Sequence, residues 1–289
     1  MSVIEVKNLK KYFGKTKAVD GISFEVKKGE IFGFLGPNGA GKTTAIRCMM
    51  DFIKPTSGEI KILDRDAQKD SVFLKEKIGY LSGTVRLYDK WTGKEHLDFI
   101  KELNGKNNIA NDLIKRLDFD VKVKTKSLSS GNRQKLGIIM AMLCNPEVLI
   151  LDEPSMALDP LMQHEVYHLI KEASEKGTTV FMSSHNLAEV QKICSRIGII
   201  KNGKMVAMED ISTLRQKSMY TMNINFEDKI NADDFKLAGV EIIKALPNEL
   251  SLGVKGDLNP IIKKIGNYRI KDLDIEPASL EEIFLEYYG

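Results

Sequence analysis

Nine consecutive residues, GPNGAGKTT (36–44), combine three glycines, a proline and an asparagine with a lysine and two threonines. Gly36, Gly41, Lys42 and Thr43 fit the spacing G-x-x-x-x-G-K-[ST]. In such a loop successive backbone N–H groups converge on phosphate oxygens, and glycines let the main chain come close. Gly36, Pro37, Asn38, Gly39, Ala40, Gly41, Lys42, Thr43 and Thr44 are therefore candidate phosphate-contacting residues. Lys42 would reach the β- and γ-phosphates, and the Thr43 hydroxyl is suited to Mg²⁺. The bland alternative is a chance match, expected in roughly one chain in a hundred of this length. Context decides against it. The loop lies between an apolar, strand-like run, IFGFL (31–35), and a segment of helical spacing, AIRCMMDFI (45–53), whose N-terminus would add partial positive charge.

Two further stretches carry chemistry. VLILDEP (148–154) is an apolar run of strand length that ends in a carboxylate. A buried parallel strand of this kind delivers Asp152 to the sheet edge where ligands bind in open α/β sheets, a position suited to Mg²⁺, directly or through water. Glu153 is then placed to polarise a water in line with a γ-phosphate. Away from a phosphate loop the same pair would read as a solvated strand end. LSSGNRQKLGIIMAML (128–143) starts small and polar and continues as an amphipathic helix. Ser129, Ser130 and Gly131 could form a second anion-binding helix start, although an ordinary N-cap looks the same.

The elements that must position these residues alternate. Residues 2–7, 22–26, 30–35, 78–81, 148–152 and 178–184 read as strands. Residues 93–104, 107–118, 160–175 and 186–194 show helical spacing, and 196–207 reads as a hairpin turning at Asn202-Gly203. Buried strands alternating with helices predict an α/β core with a mixed, partly parallel sheet. The texture changes near residue 216. Strand-like 220–226, a short helix at 231–238, strands at 240–246 and 249–256, a helix at 258–266 and a strand at 268–276 follow in β-α-β-β-α-β order, a ferredoxin-like pattern. A last helix, SLEEIFLEYY (279–288), closes the chain. The expected division is 1–215, with a helical subdomain near 85–145, and a small α+β domain over 216–289.

Composition sets the bounds. The 289 residues are 43% hydrophobic and 29% charged with net charge +3, ordinary for a soluble globular protein and too mildly basic to argue for nucleic acid. The three cysteines have no metal spacing and read as reduced core residues. No apolar run approaches the roughly 18 residues of a membrane helix, and the N-terminus lacks the apolar core of a signal peptide. A soluble, cytoplasmic chain is expected; in a membrane process a partner would supply the membrane part.

With these pieces together, residues 2–215 resemble the ATP-binding cassette (ABC) family, specifically the ATPase subunit of a transporter. GPNGAGKT resembles the family's Walker A, VLILDEP its Walker B, LSSGN its LSGGQ signature and SMALD (155–159) its D-loop. His185 in SSHNLAEV stands where the family has its switch histidine, although alone it would read as a capping or buried histidine. Phe13, before Gly14, aligns with the adenine-stacking aromatic, with Tyr12 as the alternative; a lone aromatic on a strand is more often core. The resemblance implies a P-loop NTPase fold binding ATP and Mg²⁺, with Thr43 and Asp152 at the metal, Glu153 as general base and His185 at the γ-phosphate. It implies a second ATPase subunit, giving a homodimer in which Ser129 and Gly131 act on the partner's nucleotide. It further implies an integral membrane permease on a separate chain, so that this chain lies peripherally on the inner face of the cell membrane. IGYL (78–81), RLYDKWTGKEHLDFI (86–100), QKLGI (134–138) and the terminal helix resemble the exporter-type subgroup. The chain departs from the family at Ser130 and Asn132 of the signature and at Gly83, where the family usually has Gln. The competing expectation is a soluble ABC-type ATPase in repair or on the ribosome. The long coiled coil of the former and the second cassette of the latter have no counterpart in the sequence.

Overall fold

The computed structural model describes residues 1–104, 109–213 and 219–277. These residues form two compact units that divide after residue 208.

In the first unit, β1 (Ser2–Phe13) pairs antiparallel with β2 (Thr16–Lys27) and with β4 (Ser57–Ile62), and the short β5 (Arg65–Asp66) extends that sheet. The second sheet runs β10-β9-β3-β8-β7-β6, built from β3 (Ile31–Leu35), β6 (Ile78–Leu81), β7 (Val148–Asp152), β8 (Thr179–Ser184), β9 (Arg196–Lys201) and β10 (Lys204–Asp210). Its β9-β3-β8-β7-β6 portion is parallel. Every residue of β3, β7 and β8 is buried, as expected of continuous apolar runs covered on both faces. The β9–β10 turn is at Asn202 and Gly203, both at positive φ (49° and 78°), the conformation that an Asn-Gly pair accepts most readily.

The two sheets meet through aromatic rings. Phe24 of β2 packs on Phe32, Phe34 and Phe181, with centroids 5.5–5.7 Å away. Helices cover the rest: α1 (Lys42–Met49), α2 (Ser71–Lys77), α3 (Gly93–Asn104), α4 (Ala110–Arg116), α5 (Ser130–Met142), α6 (Pro160–Glu175) and α7 (Leu187–Ile193). Close approach of α5 to β6 needs the glycine at 79, where a Cβ would lie 2.0 Å from the Ala141 carbonyl oxygen. Arg116 ties α4 to α6, with Nε 2.5 Å from Glu165 Oε1 and a bidentate pair to Glu172 at 2.8 and 2.7 Å.

Three elements differ from expectation. β4 and α2 fill a stretch that sequence spacing left unassigned, because each is largely polar and buries little: Ile60 and Ile62 in β4, Leu74 in α2. The helix expected over 107–118 is the seven-residue α4, within the part of that span that is described.

The second unit is an antiparallel sheet in the order β12-β13-β11-β14, formed by β11 (Met219–Phe226), β12 (Val240–Leu246), β13 (Glu249–Lys255) and β14 (Ile270–Pro277). Helix α8 (Asn259–Ile265) buries Ile261 and Ile265 against Met222, Ile224, Leu250 and Leu252. The helix expected over 231–238 is a single 3₁₀ turn, Ala232–Phe235. The Asn231 side chain accepts from the Asp233 N–H and starts the turn, and Phe235 is fully buried beneath it. The expected terminal helix lies outside the described residues.

Because Phe181 touches rings from both sheets, Phe181→Ala removes their shared contact. Unfolding free energy is expected to fall by about 3–5 kcal/mol, read by denaturant titration; a loss under about 1 kcal/mol would show that the sheets are held elsewhere.

Candidate functional site

Of the phosphate-loop candidates, Pro37 to Thr44 line one cleft of about 330 Å³, together with Ala18, Arg47, Ser82, Gly83, Thr84, Asp152, Glu153 and Met156, while Gly36 is not part of its lining. Gly41 caps α1 at φ 112°, a conformation in which a side chain would be strained, and a Cβ there would lie 2.4 Å from the Ala18 carbonyl oxygen. The first-turn N–H groups of α1 thus face the cleft with their dipole. A larger hollow of about 850 Å³ elsewhere in this unit, lined in part by Lys28, Arg116 and Glu172, contains none of these residues.

The charged groups sort into two sets. Asp152, 1% exposed, receives the Ser183 hydroxyl on Oδ1 at 2.6 Å and the Thr43 hydroxyl on Oδ2 at 2.8 Å. Glu153 takes the other partners: Lys42 Nζ lies 3.2 Å from Oε1 and His185 Nδ1 lies 2.8 Å from Oε2. Lys42 Nζ also donates to the Gly36 carbonyl at 2.6 Å and the Pro37 carbonyl at 3.3 Å. Glu153 sits at φ 54°, a left-handed conformation costing a non-glycine residue about 1–2 kcal/mol. Three contacts hold it there. Its N–H faces both the carbonyl and the hydroxyl of Ser183 at 3.2 Å, and its carbonyl accepts from the buried Gln134 amide at 3.1 Å. The two adjacent carboxylates thus take separate partners within the same cleft.

The remaining candidates lie apart from this cleft lining. Ser129 caps α5, its hydroxyl accepting from the Asn132 N–H at 3.2 Å. Gly131 abuts the next loop, and a Cβ on it would sit 2.8 Å from the Ala157 carbonyl oxygen. Phe13 ends β1 with half its surface exposed, and the Lys11 ammonium lies 4.9 Å from its ring centroid. The alternative, Tyr12, is engaged through its hydroxyl with Asp20 Oδ1 at 2.5 Å.

Ser183 and Gln134 escaped sequence reasoning as site residues. Both lie inside quoted motifs, and only the strand pairing reveals that they serve Asp152 and Glu153. Cys48 is buried, which pushes its thiol up to about 11 and makes it a poor nucleophile. A second motif, HEVYH (164–168) on α6, has the H-E-x-x-H spacing of zinc sites. Its imidazoles stack edge to face at 4.5 Å on an exposed surface, and Glu165 is bound to Arg116. Among the described residues no group of three His, Cys, Asp or Glu is placed to hold a metal ion.

Oxygen donors at Thr43 and Asp152 fit Mg²⁺, a hard cation that keeps several waters when a protein supplies few ligands. Position 83 bears on that site: a Cβ there would lie 3.1 Å from Asp152 Oδ2, the oxygen that Thr43 also contacts.

The ABC transporter family profile matches residues 19–156. The bacitracin transport ATP-binding protein BcrA of Bacillus licheniformis is 32% identical over an alignment covering 100% of this chain and 98% of that protein. The protein of the same name from Enterococcus faecalis is 37% identical over 75% of this chain and 72% of its own length. Among solved structures, the ATP-binding subunit of an ABC transporter aligns with TM-score 0.69 and 27% identity, over 74% of this chain and 92% of that one.

Two outcomes follow from the cleft. Lys42→Ala removes a charged hydrogen-bond donor worth about 1.5–3 kcal/mol, so nucleotide affinity should fall roughly tenfold to a hundredfold in equilibrium titration; retained affinity would remove Lys42 from the phosphate site. Gly83→Ala crowds Asp152 Oδ2 without offering a ligand and should raise the half-saturating Mg²⁺ concentration roughly threefold, a cost of about 0.6 kcal/mol. Gly83→Gln should raise it less, because its amide oxygen can contact the metal; identical Mg²⁺ curves in all three proteins would reduce position 83 to a loop residue.

Proposed function

The chain belongs to the ABC transporter family as an ATP-binding subunit that hydrolyses ATP, and from that premise we propose that it drives export through a separate membrane permease. The observation that carries this reading is the convergence of Lys42, Thr43, Asp152 and Glu153 on one cleft, with His185 bound to Glu153. Among the described residues no helix is long and apolar enough to cross a membrane, so a spanning partner is needed for transport. The permease would select the cargo.

The proposed roles follow from charge and geometry. A γ-phosphate oxygen competes with Glu153 for the Lys42 ammonium, 3.2 Å away. When Lys42 moves to the phosphate, the carboxylate of Glu153 is released to take a proton from a water. His185, bound to the other oxygen of Glu153, fixes the direction of that carboxylate and can turn toward the γ-phosphate, since half of its side chain is exposed. Thr43 and Asp152 would hold Mg²⁺, which supplies charge neutralisation at the β- and γ-oxygens. Ser129 and Gly131 lie at an α5 start away from the cleft lining and would serve the nucleotide of a second copy, giving a dimer around two ATP molecules. Phe13 would stack on adenine. The unit beyond residue 208 would be accessory to catalysis.

Glu153→Gln tests the core of the proposal. It should bind MgATP but lose turnover by roughly a hundredfold or more, and it should accumulate as an ATP-bound dimer in light scattering. Turnover at the wild-type rate would deny Glu153 the role of base. Isolation from native membranes should bring down a chain with several apolar segments of ~20 residues, the length a spanning helix requires; repeated capture of ribosomes or DNA instead would favour the soluble reading. A chain truncated after Asp210 should keep nucleotide affinity within about threefold; a folded truncation without affinity would make the second unit part of the site.

A further inference from the structure

One buried carboxyl lies outside the roles assigned so far. Glu189, on α7, is 3% exposed. Its Oε2 is 2.5 Å from Ser184 Oγ, and its Oε1 has no partner at hydrogen-bonding geometry. Ser184 immediately precedes His185. The hydroxyls of Ser155, two residues beyond Glu153, and of Tyr167 on α6 are also neighbours of this carboxyl. Glu189 is thus placed between the chain segments that carry the two members of the Glu153–His185 pair.

The hydrogen inventory at Ser184 accommodates a proton on Glu189. Ser184 Oγ accepts the Asn186 N–H at 2.9 Å and has a single hydrogen, yet two acceptors are within reach, the Asn186 carbonyl at 3.2 Å and Glu189 Oε2 at 2.5 Å. A proton on Glu189 removes the conflict. The acid O–H donates to Ser184 Oγ, whose own hydrogen then goes to the Asn186 carbonyl. An unpartnered Oε1 is also far less costly on a neutral acid than on an anion.

We propose that Glu189 is a positioning residue that works as a neutral acid, clamping Ser184 and bearing on Ser155 so that His185 and Glu153 stay in register for hydrolysis. This rests on the roles given above to Glu153 and His185. The charged and titratable groups facing Glu189 are few. From the end of β7 comes Glu153, whose negative charge opposes ionisation, and from the end of β8 comes His185, which favours it when protonated. α6 contributes Tyr167, itself pushed up to about 12 by burial. The deeply buried Cys194 follows α7, and β3, packed against α7, carries no titratable group. Burial, the largest influence, raises the Glu189 carboxyl above its ordinary range. The sign is therefore fixed. The clamp and its stabilising contribution are complete below the ordinary carboxyl value and are lost as pH rises through the raised one.

The test is the pH profile of ATP turnover in the full chain, with Glu153→Gln as reference. Glu189→Gln keeps the shape and a donor but cannot ionise. It should retain most of the neutral-pH kcat and lack the alkaline decline of the wild type. Glu189→Ala should lower kcat about tenfold to a hundredfold with KM for ATP changed less than about threefold, the pattern of a misplaced catalytic pair. If Glu189→Ala does not fold, the Gln profile alone decides. The proposal is overturned if Glu189→Gln loses as much kcat as Glu153→Gln, or if its alkaline limb matches the wild type. Loss of turnover in Glu153→Gln alongside an unchanged limb in Glu189→Gln would sink this inference and leave the assignment of the base intact. Wild-type turnover in Glu153→Gln would instead remove the reading on which it rests.

Discussion

The register of three neighbouring parallel strands governs the site. Leu35 lies opposite Ser184, and Asp152 opposite Ser183, so β3, β8 and β7 end level with one another. The phosphate loop leaves from the first, His185 from the second and Glu153 from the third. All three strands are buried along their whole length, so hydrophobic pattern alone does not specify their register. Side-specific contacts do. Phe32, Phe34 and Phe181 meet Phe24 from the other sheet, whereas the intervening Gly33 receives α7, where a Cβ would come 2.4 Å from Val190 Cγ1. A slip by one residue would drive a phenylalanine into α7 and turn Asp152 to the opposite face.

Consecutive residues at the end of β7 bring two carboxylates to one cleft, which is electrostatically costly unless each has its own partners. The structure divides them. Asp152 receives neutral hydroxyls, which leave its charge available to a cation. Glu153 is paired with Lys42 and His185. The left-handed turn at Glu153 makes this division possible, and its strain is held by backbone contacts to Ser183 and the Gln134 amide. Both carboxylates are therefore held in part by Ser183 and Gln134, which lie outside the cleft lining.

The local parts of this site were legible in the sequence for a physical reason. A phosphate loop is nine residues of backbone, and an apolar run ending in a carboxylate is one strand; each carries its meaning within its own span. Ser183 and Gln134 were not legible, because a serine at a strand end and a glutamine early in a helix acquire a role only when β7 lies beside β8 and α5 lies under the Glu153 turn. The same limit explains the elements. Apolar buried strands declared themselves, but β4 and α2 are largely polar and bury only one or two side chains each. Residues 231–238 resembled a helix, yet only the 3₁₀ turn that Asn231 starts forms there, and the chain is extended again at Lys236.

The two metal-associated motifs in the chain separate spacing from site. GPNGAGKT and HEVYH both match their patterns fully. Around the first, the sheet edge supplies Asp152, Glu153 and a dipole-bearing helix start, and the cleft has walls. Around the second, the helix face is exposed, the glutamate that would act as base is bound to Arg116, and no third ligand is at hand among the described residues. Five residues on a helix fix two imidazoles on one face, which is within the reach of helical geometry alone. A reactive centre needs groups from different elements brought to one point, and that convergence comes from strand register.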